Sequence, residues 1–313
     1  MSTTKKRSRF VVTAAAIAAA GALTLTACGS NNSSEPAAND TANCPTTPIN
    51  VVVTTNVWGS ITDQLAGSCA KVATIITSPS SDPHDFEPTS QTSDTFANAD
   101  LAIINGLGYD EWANKILNSL GSNAPQTINL GQDVGLKVGD NPHIWYSPTY
   151  VQESAKNITK GLKGKNESAA SYFDDQAKSF DTAIKPYLDE VNTIKSQHAG
   201  TKISATESVF DYMAEATGLD LITPAAFMNA IANDSDPSTQ AVQEFRNQLN
   251  AKEPKAFIFN TQTDGGLPTQ LKALAEKNNI PIVNVTETLT PEGATFQQWQ
   301  LTQLQALNKA LGS

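Results

Sequence analysis

Histidine and cysteine are scarce in this chain, at three residues each in 313. Positive charge is also short: 21 Lys and Arg stand against 31 Asp and Glu, a formal net charge of −10. Nucleic acid and anionic lipid are poor partners for such a surface, whereas cations are drawn to it. G-x-S-x-G, H-E-x-x-H and a Walker loop are missing, so the usual sequence signs of an enzyme are not there. The apolar run at residues 11–27 falls short of the roughly 20 residues that span a bilayer.

That run follows Lys5, Lys6, Arg7 and Arg9 and ends in small residues, the pattern of a bacterial export signal over residues 1–27. Its close, "LTAC", resembles a lipoprotein signal, in which cleavage leaves Cys28 as the lipid-modified first residue. One such residue would anchor the protein to the outer face of the cytoplasmic membrane without spanning it. Residues 28–47 contain "GSNNSSEPAANDTAN", too poor in apolar side chains to order itself, and read as a flexible tether. Loss of the four signal charges takes the formal charge from −10 to −14. Cys44 and Cys69 have no nearby His and make no credible metal site. In an exported protein such a pair favours a disulfide. It would pin the tether to the first helix and stabilise by about 3 kcal/mol.

From residue 48 onward, short β-branched runs alternate with amphipathic stretches. The expected strands are 49–55, 72–77, 100–105, 126–130, 202–206, 219–223, 255–260 and 280–286. Alternation of this kind predicts an α/β fold with mostly parallel sheets covered by helices. One helix, roughly 167–197, is longer than the rest and carries Phe173, Ala177, Phe180, Ile184, Leu188, Val191 and Ile194 as a single apolar stripe. Pro186 should kink it. With four strands on each side it reads as a connector (164–197) between an N-terminal lobe (48–163) and a C-terminal lobe (198–313). The alternative is an ordinary surface helix of one domain.

Two of the three histidines directly follow proline: His84 in "SDPHDFEPT" and His143 in "DNPHIWYSP". Proline is about one residue in twenty, so the coincidence asks for a reason. Each histidine follows a strand through a loop, and ligands of open parallel sheets gather at the carboxyl ends of strands. Two converging imidazoles with no adjacent nucleophile point to a transition metal; the bland alternative is a pair of exposed loop histidines. His198 sits in a polar turn and is expected to face solvent, so carboxylates must complete a site. Glu207 in "KISATESVFDYM" and Glu287 in "IPIVNVTETLTPEG" stand just after strands. Glu207 is equally readable as a helix N-terminal acid. Glu287 is equally readable as a solvated loop acid, with Glu292 and Asp264 as competitors. Asp82, Asp85 and Glu87 are candidates to accept the second N–H of His84.

These segments together resemble the solute-binding lipoproteins of bacterial zinc and manganese ABC importers, the cluster A-I metal-binding receptors. "SDPHDFEPT" is similar to that family's first ligand motif and "NPHIWYSP" to its second. "TESVFDYMAEATGL" resembles the opening of its second lobe, with Glu207 at the ligand position, and "NVTETL" its last ligand segment, with Glu287 where many members have Asp. The resemblance implies two lobes bridged by a long rigid helix and one Zn2+ or Mn2+ held by His84, His143, Glu207 and Glu287. It also implies an ABC permease as partner and no bond chemistry, and a monomer is expected. A His-rich loop common in zinc-dedicated members is missing here. A surface-anchored metallohydrolase and a metal-stabilised adhesin are the competing readings. Four protein ligands would close the coordination sphere, whereas a catalytic site leaves a position for water. Imidazole ligands compete with protons, so acid should weaken binding.

Overall fold

The computed structural model describes residues 44–78, 86–232, 235–262 and 265–312. The expected export signal, Cys28, most of the tether, His84 with Asp82 and Asp85, and Asp264 lie outside the described residues.

Each expected strand forms. β1 (Ile49–Thr55), β2 (Ala70–Ile76), β3 (Leu101–Ile104) and β4 (Gln126–Asn129) make one sheet in the order β2-β1-β3-β4. β5 (Lys202–Ala205), β6 (Asp220–Leu221), β7 (Ala256–Asn260) and β8 (Ile282–Val285) make a second, β6-β5-β7-β8. All pairings are parallel, with Val51 opposite both Val72 and Leu101, and Phe257 opposite Ile282. Strands covered on both faces carry the near-continuous apolar runs seen in β1, β3 and β7. β6 is shorter than its apolar run because the Thr223 hydroxyl meets the backbone of Ala205, lying 2.8 Å from its nitrogen and 3.0 Å from its carbonyl oxygen. A side chain thus takes the place of further backbone pairing with Ala205.

In the first lobe the crossovers are α1 (Asn56–Ala66), α2 (Ser90–Ala97), α3 (Glu111–Leu120) and the single turn α4 (Leu130–Asp133), followed by α5 (Pro148–Lys165). α5 begins where Ser147 accepts the Tyr150 N–H and Pro148 occupies the first turn, a position where its missing N–H costs nothing. Val151, Ala155, Ile158 and Leu162 then bury one face against the sheet. At Gly161 a Cβ would meet the tip of the Ile128 side chain, which would have to shift for α5 to lie this close to β4.

The expected long helix forms as α6 (Ala170–Ala183) and α7 (Lys185–His198), separated at Ile184. Pro186 is in the first turn of α7; its ring cannot donate to the preceding turn, and the break falls just before it. The second lobe adds α8 (Asp211–Thr217), α9 (Ala225–Ala232), α10 (Thr239–Asn250), α11 (Gly266–Lys277) and α12 (Phe296–Leu311). A Thr295–Gln298 capping box opens α12.

One apolar core runs through both lobes. It joins Trp58 and Leu65 of α1, Phe173 and Phe180 of α6, Tyr187 and Ile194 of α7, and Phe296, Trp299 and Leu304 of α12. Separate outer clusters lie under α2 and α3 and under α10 and α11. α12 also reaches back to the first lobe, where Phe296 N–H donates to Ser60 Oγ (3.0 Å) and Gln297 Nε2 to Gln64 Oε1 (2.7 Å). Cys44 and Cys69 are joined by a disulfide with Cα atoms 5.0 Å apart, at the edge of the sheet where β2 starts.

Candidate metal centre

In both sheets the strand order reverses between the two central strands, β1 and β3 or β5 and β7, the point at whose carboxyl ends open α/β sheets bind their ligands. The loops after β1, β3 and β4 and those after β5, β7 and β8 carry the polar side chains considered below. They are supported differently.

The first lobe is organised by a buried carboxylate. Asp110 Oδ2 accepts from the Thr54 hydroxyl and the Asn105 N–H, both at 2.7 Å, and Oδ1 accepts from the Gly106 N–H at 2.8 Å. The backbone turns around it through Gly106, Leu107 and Gly108, with φ of 77°, 60° and 94°. That left-handed run suits glycine and strains leucine. Burial raises the Asp110 pKa, and the three hydrogen bonds oppose the shift. Asn105, fixed by Trp58 Nε1 (2.9 Å), donates to the Pro142 carbonyl at 3.0 Å. The carboxylate thereby positions the Pro142–His143 loop.

His143 is 5 % exposed and packs edge-on against Trp145, with ring centroids 5.3 Å apart. Its backbone N–H donates to Asn141 Oδ1 (3.0 Å), and ring Nδ1 lies 2.7 Å from that same oxygen. Asn141 Nδ2 donates to the Ser208 carbonyl at 2.7 Å. Two backbone groups of fixed polarity therefore orient the amide, so Oδ1 faces the ring and Nδ1 is the protonated nitrogen. Nε2 is then the nitrogen turned away from Asn141.

Nε2 faces Glu287. Oε2 of Glu287 lies 3.5 Å from His143 Nε2, and Glu287 is 7 % exposed. Tyr109 donates to Oε2 (3.1 Å) and Asn260 Nδ2 to Oε1 (2.9 Å), while the Glu287 N–H donates to Gln262 Oε1 (2.6 Å). Glu287 is thus a buried, held carboxylate, and the solvated-loop reading gives way; its competitor Glu292 is exposed.

Glu207 follows β5 in extended conformation (φ −161°, ψ 178°) and is half-buried. It is the N-cap residue of the 3-10 turn Ser208–Phe210 that leads into α8, without a side-chain cap hydrogen bond. Glu207 therefore also stands where a helix N-terminal acid was expected. Its neighbour Ser208 accepts from Asn141, and its charge reaches Tyr146. Burial holds that phenol well above the usual range, opposed by its hydrogen bond to Gln303, and the Glu287 and Glu207 carboxylates push it further up. Asp211 is pushed up to about 6 by burial, with His143 and an Asn141 hydrogen bond pulling back. Among the described residues no group of three or more His, Cys, Asp or Glu is gathered tightly enough to hold a metal ion. The structure brings His143 and Glu287 together, leaves Glu207 nearby, and does not describe His84. Glu87 is exposed.

Sequence reasoning missed Asn141, Asp110, Tyr109 and Asn260. Asn141 stands two residues before His143 inside the motif already singled out, so its position was the available signal. His198 differs from expectation: it is half-buried, with Nε2 3.0 Å from Asn308 Oδ1 of α12.

Two parallel-sheet lobes bridged by a long broken helix, with polar side chains at facing strand ends, define a two-lobed α/β binding protein. The chain belongs to the family described as zinc-uptake complex component A, periplasmic (ZnuA), whose model matches residues 51–310. That family comprises solute-binding components of metal ABC transporters, so the enzymatic reading falls away. The chain is 25% identical over 265 residues to the manganese ABC transporter substrate-binding lipoprotein PsaA of Streptococcus anginosus, covering 78% of this chain and 82% of that protein. It is 24% identical to the high-affinity zinc uptake system protein ZnuA of Bacillus subtilis, covering 78% and 79%. Among solved structures, the Mn-bound S38A mutant of a periplasmic metal binding protein from candidatus liberibacter asiaticus superposes with a TM-score of 0.71. Identity there is 20%, over 84% of this chain and 99% of that one. Among the described residues no helix is long and apolar enough to cross a membrane.

Proposed function

We propose that this protein captures one divalent transition metal, Zn2+ or Mn2+, between its lobes and delivers it to the permease of an ABC importer. His84 and His143 from the first lobe (48–163) and Glu207 and Glu287 from the second (198–313) are the proposed ligands, with 164–197 as connector. The observation that carries this reading is the pair His143 Nε2 and Glu287 Oε2, 3.5 Å apart and buried. With Nδ1 against Asn141, Nε2 is the nitrogen turned toward the Glu287 carboxylate, and imidazole beside carboxylate is a donor set that suits a divalent transition metal. In sequence His84 stands between β2 and α2, and Glu207 completes the proposed set from the segment after β5.

The relatives named for manganese and for zinc support the class of cargo. A mixed His and carboxylate set accepts both ions, and the Irving–Williams order makes zinc the tighter binder even where manganese is delivered. Residues 1–27 act as the export signal and Cys28 as the lipid anchor on the outer face of the cytoplasmic membrane. The protein works as a monomer. Elemental analysis of purified protein tests the reading: about one equivalent of metal in wild type, lost in His84→Ala and in Glu207→Ala. Metal retained in both variants would remove the site.

A further inference from the structure

We infer that Asn141 is a positioning residue that sets the ring of His143 and the register of the two lobes through one amide; this rests on His143 being a metal ligand. Its Oδ1 takes two hydrogen bonds from His143, at 3.0 Å from the backbone and 2.7 Å from Nδ1. Its Nδ2 crosses to the second lobe, donating to the Ser208 carbonyl (2.7 Å) and lying 3.4 Å from Asp211 Oδ2. Its own carbonyl accepts the Tyr212 hydroxyl at 2.9 Å. Ser208 is the residue after Glu207, so the amide joins the loop of one proposed ligand to the segment of another.

The two functions are chemically separable. An acceptor opposite Nδ1 holds the proton there and leaves Nε2 for the metal. A donor opposite Ser208 holds the lobes in register. Asp at this position keeps the acceptor and loses the donor, and it also places a carboxylate against a carbonyl and Asp211. Ala loses both. Tyr212→Phe removes one interlobe hydrogen bond and leaves the ring contact untouched.

The test is nitrogen-15 NMR of the histidine ring in metal-free protein at pH 8, together with zinc affinity and the zinc release rate measured with a chelator. In wild type His143 should show protonated Nδ1 and a pyridine-like Nε2. Asn141→Ala should give mixed tautomers and a 10- to 100-fold weaker zinc affinity, the range for loss of a ligand's hydrogen-bond partner. Asn141→Asp should keep the wild-type tautomer while zinc leaves faster, and Tyr212→Phe should raise the release rate alone. A wild-type ring protonated on Nε2 would overturn the inference. So would an Asn141→Ala protein with unchanged tautomer and affinity, or an Asn141→Asp protein with unchanged release. If wild type binds no zinc, the proposed function fails, and the tautomers of the metal-free proteins still decide the role of Asn141 in setting the ring.

Discussion

His143 Nε2 lies 3.5 Å from Glu287 Oε2, although one residue follows β4 of the first sheet and the other follows β8 of the second. Their 144-residue separation is closed by a core that runs unbroken through α1, the connector and α12. The pair depends on that packing and on the polar supports behind each residue.

Asp110 is the deepest of those supports. Asp110→Asn preserves shape but turns an amide donor toward one of the three donors that now meet the carboxylate. A buried donor left unmet costs about 1–3 kcal/mol. Chemical denaturation should show a loss of that size, with weaker metal affinity because the Asn105 to Pro142 hydrogen bond loses its backing.

Phe296 opens α12 fully buried, with ring centroids 5.8 Å from Tyr187 and 6.0 Å from Trp299. Phe296→Ala should destabilise by about 3–5 kcal/mol through lost transfer energy and the cavity left behind. Thermal unfolding measures it.

The disulfide lies at the start of β2, whereas the proposed site lies at the carboxyl ends of the strands. Seven strand residues at about 3.3 Å each put about 20 Å between them. Cys44→Ser with Cys69→Ser should lower stability by about 3 kcal/mol, the entropy of freeing a 25-residue loop, and leave metal affinity unchanged. Denaturation and metal titration of the double variant check both halves.

Asp63, half-buried in α1, is raised from 3.8 to about 6 by burial. The folded state therefore holds the proton more tightly than the unfolded chain between those values. Its contribution to stability is greatest below about pH 4 and falls as pH rises through 6. Asp63→Asn should gain stability at pH 8, by under about 1 kcal/mol after solvent screening, and match wild type at pH 4. Melting curves across that range give the sign.

The strands were readable because β1, β3 and β7 are buried on both faces and carry unbroken apolar runs. β6 was read too long because a Thr223 side chain occupies the backbone of Ala205, a contact 18 residues away that no local pattern encodes. His143 stood out through its proline motif. Asp110 and Asn105 did not, since their network exists only when β1, β3 and the Pro142 loop meet. His198 was placed in solvent because its partner, Asn308, is 110 residues further on.

Calorimetric titration of chelator-stripped protein with Zn2+, in wild type, His143→Ala and Glu287→Gln, tests the central claim most directly. The account predicts about one site in wild type and at least a 100-fold loss of affinity in each variant, beyond the 10- to 100-fold effect of losing a supporting partner. Folded variants that bind one equivalent with wild-type affinity would contradict it.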